Sequence, residues 1–334
     1  MRSDREWFVP VAAIVTVETL LWCAAYLAGD AARPMIVTYG SLALTFFTLA
    51  LCFYVVRLLV RERPERPIHR LVGAAAANKE RLLIAVIGSQ LLAFGSAAFG
   101  SLKAAIPRAT PFWLDRPLAD FEARLFGGDA WAAFHSLFGW AAPLFDKLYA
   151  TFVGTHVLAV LALLAAGPSL LKSRALVSLS LAWLVLGVAG AYALSSAGPI
   201  FYDRLYGGER FAEMMAMLGR DAPIATFTAD ALWGMFQSGS PRFGNGISAM
   251  PSMHVALTMW LALVVNGTRF APLGWAYFAL TWIGSVLLGW HWFLDGLAGS
   301  AGMLALWAIA PRLLFRGRVK PEAVAVPAAA TPAI

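Results

Sequence analysis

Of the 334 residues, 60% are hydrophobic and only 13% are charged, with a mean hydropathy of +0.69. A soluble domain carries about a quarter charged residues, so an ordinary cytosolic enzyme is excluded. The net charge of +7 would suggest nucleic-acid binding in a soluble chain, but here the basic residues separate apolar runs, where they set membrane topology. Eight apolar segments are predicted to cross a bilayer, over 8–28, 35–60, 82–107, 147–167, 174–197, 251–267, 271–290 and 291–311. Most approach the twenty or so residues that a span requires. The first follows Arg2 and Arg5 and is too long for a signal core, so it is read as an uncleaved span.

Residues 61–81 form a basic linker, and 319–334 read as a disordered tail. The connections 108–146 and 198–250 have mixed polarity, and within them 118–126 and 209–218 are candidates for interfacial helices. Cys23 and Cys52 lie inside apolar runs with no CxxC or His-rich spacing; they are read as small core residues, with no disulfide or metal framework. The fold expected is an all-α polytopic membrane bundle of about eight transmembrane helices. Sixteen of the 26 Lys and Arg fall on the side that carries both termini, so the termini are expected in the cytoplasm. The connections 108–146 and 198–250 then face outward.

Two histidines stand at the starts of the sixth and eighth spans: His254, in Ala249-Met250-Pro251-Ser252-Met253-His254, and His291, in Gly289-Trp290-His291-Trp292. Those spans run in the same direction, so both histidines emerge at the outer face. Asp295 follows His291 by one helical turn, which sets its carboxylate beside the imidazole. An ionisable residue inside a span is costly and points to function; Glu18 and Asp295 both fall within spans, Glu18 as either a partner of a buried polar group or the lining of a lipid cavity. The chemistry that suits this set is phosphoryl transfer: one neutral imidazole attacks phosphorus, a carboxylate fixes its tautomer, and a second imidazole protonates the leaving oxygen. Pro251 is expected at a first helical position with Ser252 behind it, exposing backbone N–H groups to phosphate oxygens. Gly244-Asn245-Gly246 would let the backbone approach closely.

Pro251-Ser252-Met253-His254 followed by His291-x3-Asp295 resembles the second and third motifs of the type 2 phosphatidic acid phosphatase (PAP2) superfamily. Gly198-Pro199-Ile200-Phe201-Tyr202, Leu205-Tyr206-Gly207 and the Ala-Met-Pro-Ser-Met-His form resemble the branch containing fungal inositol phosphorylceramide synthase. The resemblance spans roughly 110–311 and implies a six-helix catalytic core. It makes His291 the nucleophile, His254 the general acid, Asp295 the orienting carboxylate and Ser252 a phosphate ligand. The organisation it implies is two N-terminal spans and a linker (1–81), a catalytic domain (82–318) and a cytoplasmic tail (319–334).

Two departures stand out. The family's third motif has an Arg six residues before the nucleophile, where this chain has Ser285. Its first motif is Lys-x6-Arg-Pro; Arg116-Pro117 is present, but position 109 is Ala and the nearest basic residue is Arg108. A phosphate dianion still needs cationic partners. Candidates are Arg108, Arg116, Lys147, Arg204 and Arg242, of which Lys147 and Arg242 are favoured as phosphate-binding residues.

The function expected is a lipid phosphatase or phosphotransferase working through a phosphohistidine at the outer face of the membrane, the inner membrane in a bacterium. Its substrate would be a lipid phosphate or phospholipid; the acceptor is water or a lipid alcohol. The transferase reading is head-group transfer of the inositol phosphorylceramide synthase type, and a non-enzymatic lipid-binding or transport role is the third reading. No cofactor, metal or nucleic-acid partner is expected. His156, about nine residues into the fourth span, is either a packing residue or a cavity contact. Gly296, Gly299 and Gly302 read as helix-packing notches.

Overall fold

The computed structural model describes residues 4–239 and 246–314, whose regular structure is all helical, with no strand among them. In chain order the helices are α1 (Arg5–Leu27), α2 (Ile36–Glu62), α3 (Pro67–Ala77), α4 (Lys79–Ala109), α5 (Asp115–Phe126), α6 (Ala130–Phe138), α7 (Ala142–Ala150), α8 (Phe152–Ala165) and α9 (Leu170–Ala182). A π-helical stretch, Trp183–Gly190, carries α9 into α10 (Ala191–Ala193). Then come α11 (Pro199–Tyr206), α12 (Ala212–Asp221), α13 (Pro223–Ser238), α14 (Met253–Val265), α15 (Ala271–Leu287) and α16 (Phe293–Leu314).

Local sequence explains several boundaries. Helix α2 stops where Arg63 turns left-handed at φ 43° just before Pro64, which disfavours helix in the residue ahead of it. Helix α3 restarts with Pro67 at its first position, where the missing N–H costs nothing. Ser169 caps α9 by accepting the Lys172 backbone N–H at 3.1 Å.

Five helices are long and apolar enough to cross a membrane: α1, α2, α4, the continuous run Leu170–Ala193, and α16. They mark the chain as an integral membrane protein. A sixth crossing arises if Ala130–Ala150 and Phe152–Ala165, bent by 40° at Thr151, act together. Taken as one crossing, the pair would start the expected fourth span well before 147 and break it at Thr151. Helices α14 and α15 are apolar but have 13 and 17 residues. At 1.5 Å per residue they reach only about 20 and 26 Å, short of the roughly 30 Å hydrocarbon core. Apolar composition runs past the ends of these two helices into loops, which is why the sequence reads as longer spans.

Helices α1, α4, α8, α9, α14 and α16 form the membrane bundle, around Trp7, Leu164, Leu176, Trp260, Met303 and Trp307. Between such helices, close backbone approach replaces the hydrophobic drive available in water. A Cβ on Gly88 would lie 2.8 Å from Leu164 and Trp7, and one on Gly302 would lie 2.5 Å from Leu186; Gly302 is thus a packing notch, as expected. Lys172, read from sequence as a loop charge, is buried within α9. Its Nζ pairs with Asp4 at 2.8 Å and donates to the Leu164 and Ala166 carbonyls at 2.9 Å each.

The connections expected to be loops fold into a second layer, α5–α7 with α11–α13, around Phe145, Phe201, Phe211, Met214, Leu218 and Trp292. The candidate interfacial segments are helical within it, as α5 and α12. Cys52 is exposed on α2 and Cys23 partly so, both as free thiols. Neither is a core residue: α2 buries only Leu58 and shows apolar side chains outward, as a lipid-facing helix does. His69 is exposed, whereas His135 is half-buried beneath Trp131. The expected tail, 319–334, lies outside the described residues.

Candidate active site

His254 projects from the first turn of α14, and His291 lies in the short link between α15 and α16. Their ring centroids are 5.8 Å apart. The link is tight because Gly289 turns left-handed (φ 68°) and the His291 backbone N–H closes on the Ser285 carbonyl at 3.1 Å. Ser285, at the family's arginine position, is fully buried and spends its hydroxyl on the Trp282 carbonyl. It shapes the turn and offers nothing to a phosphate.

His291 is held by two acceptors. Its Nδ1 donates to the Ala249 carbonyl at 2.9 Å and lies 3.4 Å from Asp295 Oδ2. A carbonyl can only accept, so Nδ1 carries the proton and the Nε2 lone pair is left free. Asp295 Oδ2 also accepts the Trp292 backbone N–H at 2.9 Å. The carboxylate expected one turn away is therefore beside the ring, with Ala249 as the shorter contact. His254 is packed between Tyr149, stacked at 4.7 Å, and Phe152 at 4.3 Å, on either side of the Thr151 break.

Ser252 caps α14: its hydroxyl accepts the Val255 N–H at 3.3 Å, and the residue is fully buried. Helix α14 starts at Met253, so Pro251 lies one residue before the cap instead of at the first helical position. A Cβ on Gly299 would collide with the Ser252 carbonyl, so this glycine admits the motif's backbone against α16.

The histidines open onto a cavity of about 700 Å³ lined by α1, α2, α4, α7, α8, α13 and the 246–251 segment. Among the described residues lining it, Lys103 is the one lysine or arginine. Lys103 lines this cavity together with His254 and His291. Gly246, left-handed at φ 101°, seats its backbone against Lys103; a Cβ there would be 2.8 Å from the lysine carbonyl carbon. The close approach expected of this glycine is thus to the lysine.

Of the two favoured cations, one is described, and it lies away from the cavity. Lys147 is exposed, while its neighbour Asp146 turns inward. Arg242 lies outside the described residues. Arg116 is exposed over the Tyr206 ring at 4.8 Å, Arg204 pairs with exposed Asp230, and Arg108 donates to the Asp30 and Gly239 carbonyls. Sequence reasoning passed over two residues: Lys103, which the family spacing does not pick out, and Tyr149, whose buried hydroxyl has no hydrogen-bond partner among the described residues. An intramembrane lysine was itself a signal for the first. His156 lines the cavity, with ring contacts to Phe152, Trp183 and Trp260.

One buried loop holds both histidine segments. The Ser196 carbonyl accepts the Ala249 N–H at 2.8 Å, and its hydroxyl accepts the Met250 N–H at 3.0 Å. The Ile200 N–H donates to the Gly289 carbonyl at 2.8 Å. Fully buried Asp115 fastens this loop. It accepts the Ala197 N–H at 2.8 Å, the Gly198 N–H at 3.0 Å, the Trp292 indole N–H at 2.8 Å and the Tyr206 hydroxyl at 3.2 Å. Burial raises its pKa against the lowering effect of these donors. Glu122 accepts the Leu294 N–H at 2.9 Å, capping α16, and Asp146 accepts the Ile224 and Ala225 N–H groups, capping α13. Burial pushes the Glu122 carboxyl up to about 7.

Fold and site together define an all-helical membrane protein with a paired-histidine centre facing an apolar cavity. The family comparison agrees: the PAP2 superfamily matches residues 116–309, more than half of the chain, and the protein belongs to that superfamily. Its members are in general phosphatases and phosphotransferases. No curated protein and no solved structure matches the chain. The matched segment begins after Lys103 and excludes α1 and α2, both of which contribute to the cavity wall.

Proposed function

We propose that the protein is a lipid-phosphate phosphatase or phosphotransferase whose nucleophile is Nε2 of His291. The observation that carries this reading is the Nδ1 contact to the Ala249 carbonyl, which fixes the ring in the tautomer a nucleophile needs. Nε2 bonds to phosphorus as the bond from phosphorus to the lipid oxygen breaks, and His254 gives that oxygen a proton. Water or a lipid alcohol then attacks phosphorus and returns a proton to His254, and the N–P bond breaks. Asp295 stabilises the imidazolium-like ring formed in between. Lys103 and the Tyr149 hydroxyl, which has no partner among the described residues, meet the phosphate oxygens, in place of Lys147; Ser252 orders the α14 terminus whose free N–H groups face the same anion.

The depth of the cavity behind the histidines favours a lipid over a soluble phosphate ester. The same depth leaves room for a lipid alcohol as acceptor, which supports the second reading, head-group transfer of the inositol phosphorylceramide synthase type. The charge distribution supports cytoplasmic termini and a site at the outer face. Cysteines placed at 207 or 219 should then react with an impermeant thiol reagent from outside, and one at 69 should not; labelling of all three from one side overturns that orientation.

The chemical test is to trap the intermediate from radiolabelled lipid phosphate as an acid-labile, base-stable phosphoenzyme. His291→Ala should abolish it. His254→Ala should slow its formation by about 10²–10⁴-fold, less so for substrates with better leaving groups. Labelling that survives His291→Ala refutes the assignment.

A further inference from the structure

Glu18 lies near the middle of α1 and is only 2% exposed, and its Oε1 has no hydrogen-bond partner among the described residues. It lines the cavity that the histidines share. A buried, unpaired polar atom in an apolar surround is costly, and the packing around Glu18 holds it there. A Cβ on Gly95 of α4 would lie 2.9 Å from Val15 and 3.1 Å from Glu18 Oε2, so the glycine keeps α1 tight against α4. Lys103 stands eight residues further along α4, about 12 Å towards the outer end at 1.5 Å per residue. His156, Ser89 and Ser180 line the same cavity. The cavity thus has a cation in the same wall as the histidines and further hydrogen-bonding groups among its apolar lining.

We infer that α1, α2, α4 and α8 form a chamber for the hydrocarbon part of the substrate, in which Glu18 hydrogen-bonds a polar group carried below the phosphate. This rests on the lipid-phosphate reading above and narrows the substrate class. The chamber selects phosphates of lipids with a carbonyl, amide or hydroxyl in their backbone, whether glycerol-based or sphingoid, over isoprenoid phosphates, whose chains offer Glu18 nothing. A site built to hydrogen-bond a group rejects the analogue that lacks it, because its own polar atoms stay unpaired.

The test measures binding in detergent with the full chain carrying His291→Ala, so that turnover does not intervene. The probes are phosphatidic acid, ceramide phosphate and an isoprenyl phosphate of matched length, followed by tryptophan fluorescence. With Glu18 intact, one or both carbonyl-bearing lipids should bind about tenfold or more tightly than the isoprenyl phosphate; the tighter of the two identifies the backbone. Adding Glu18→Leu should erase that preference, and Glu18→Gln should retain most of it. The ratio within one preparation does not depend on the folded fraction, and Glu18→Ala serves where leucine prevents folding. A preference that survives Glu18→Leu and Glu18→Ala, or equal binding of all three lipids with Glu18 intact, overturns the inference. Loss of the phosphoenzyme in the intact protein would instead count against the proposed chemistry, and the binding ratio would still read the chamber.

Discussion

The membrane bundle and the second layer are stabilised by different means. In the bundle, glycines and apolar side chains bring helices together, and buried side chains such as Trp260 and Lys172 donate to backbone carbonyls: Trp260 to Ala175 at 2.9 Å, Lys172 to Leu164 and Ala166 at 2.9 Å each. In the second layer, buried carboxylates accept backbone N–H groups: Asp115 from Ala197 and Gly198, Asp146 from α13, Glu122 from α16. Packing in the bundle tolerates exchange of one apolar side chain for another. A carboxylate that collects several amides does not, since losing it leaves every donor unpaired. The paired histidines lie where the two layers meet, with the carboxylate-held loop on one side and the cavity of the bundle on the other.

The sharpest test of that division is charge at the boundary. Lys103→Met should lower kcat/KM by about 10²–10³-fold, the scale of one electrostatic contact to a developing anion. Lys147→Met should leave it within about twofold. Equal losses in kinetic assays of the two variants would return Lys147 to the site.

A smaller effect separates positioning from packing. Asp115→Ala should cut kcat by about tenfold or more with little change in KM, because the Ala197, Gly198 and Trp292 donors it frees each cost about 1–3 kcal/mol. Asp115→Asn, which keeps an accepting oxygen, should recover part of the loss. Trp260→Phe in the bundle should cost about 1 kcal/mol of stability and leave kcat unchanged. If Trp260→Phe lowers kcat as much as Asp115→Ala, the division between the regions fails.

The smallest expected effect is a pH dependence. The Glu122 carboxyl rises from its ordinary 4.5 to about 7 on folding, so the folded state binds that proton more tightly than the unfolded chain. Its contribution to stability is complete below about 4.5 and is lost as pH climbs through 7. The melting temperature should therefore fall between pH 5 and 7.5, and Glu122→Gln should flatten that slope. An unchanged slope in the variant would remove Glu122 as its source.

What the sequence made legible follows the range over which each feature acts. His291 and Asp295 lie one turn apart, so local periodicity reveals the pair. The long apolar helices are equally plain, as are Glu18 and Asp295 within them. The break at Thr151 is hidden in a continuous apolar run. Lys103 is hidden because Gly246, which packs on it, lies far along the chain, and because its spacing from Arg116-Pro117 is not the family's. Asp115 and Trp292 are 177 residues apart. No local pattern reports that a buried aspartate beside the Arg-Pro pair supports the histidine loop.

The bend of 40° at Thr151 has a mechanical meaning. Tyr149 and Phe152 grip His254 from opposite sides of that joint, while His291 is tied through Ala249 and Trp292 to the loop that Asp115 fastens. The surroundings of His254 therefore depend on that one bend, whereas those of His291 do not. A change in the tilt of α8 against α7 would shift the grip on His254 and leave the anchors of His291 in place.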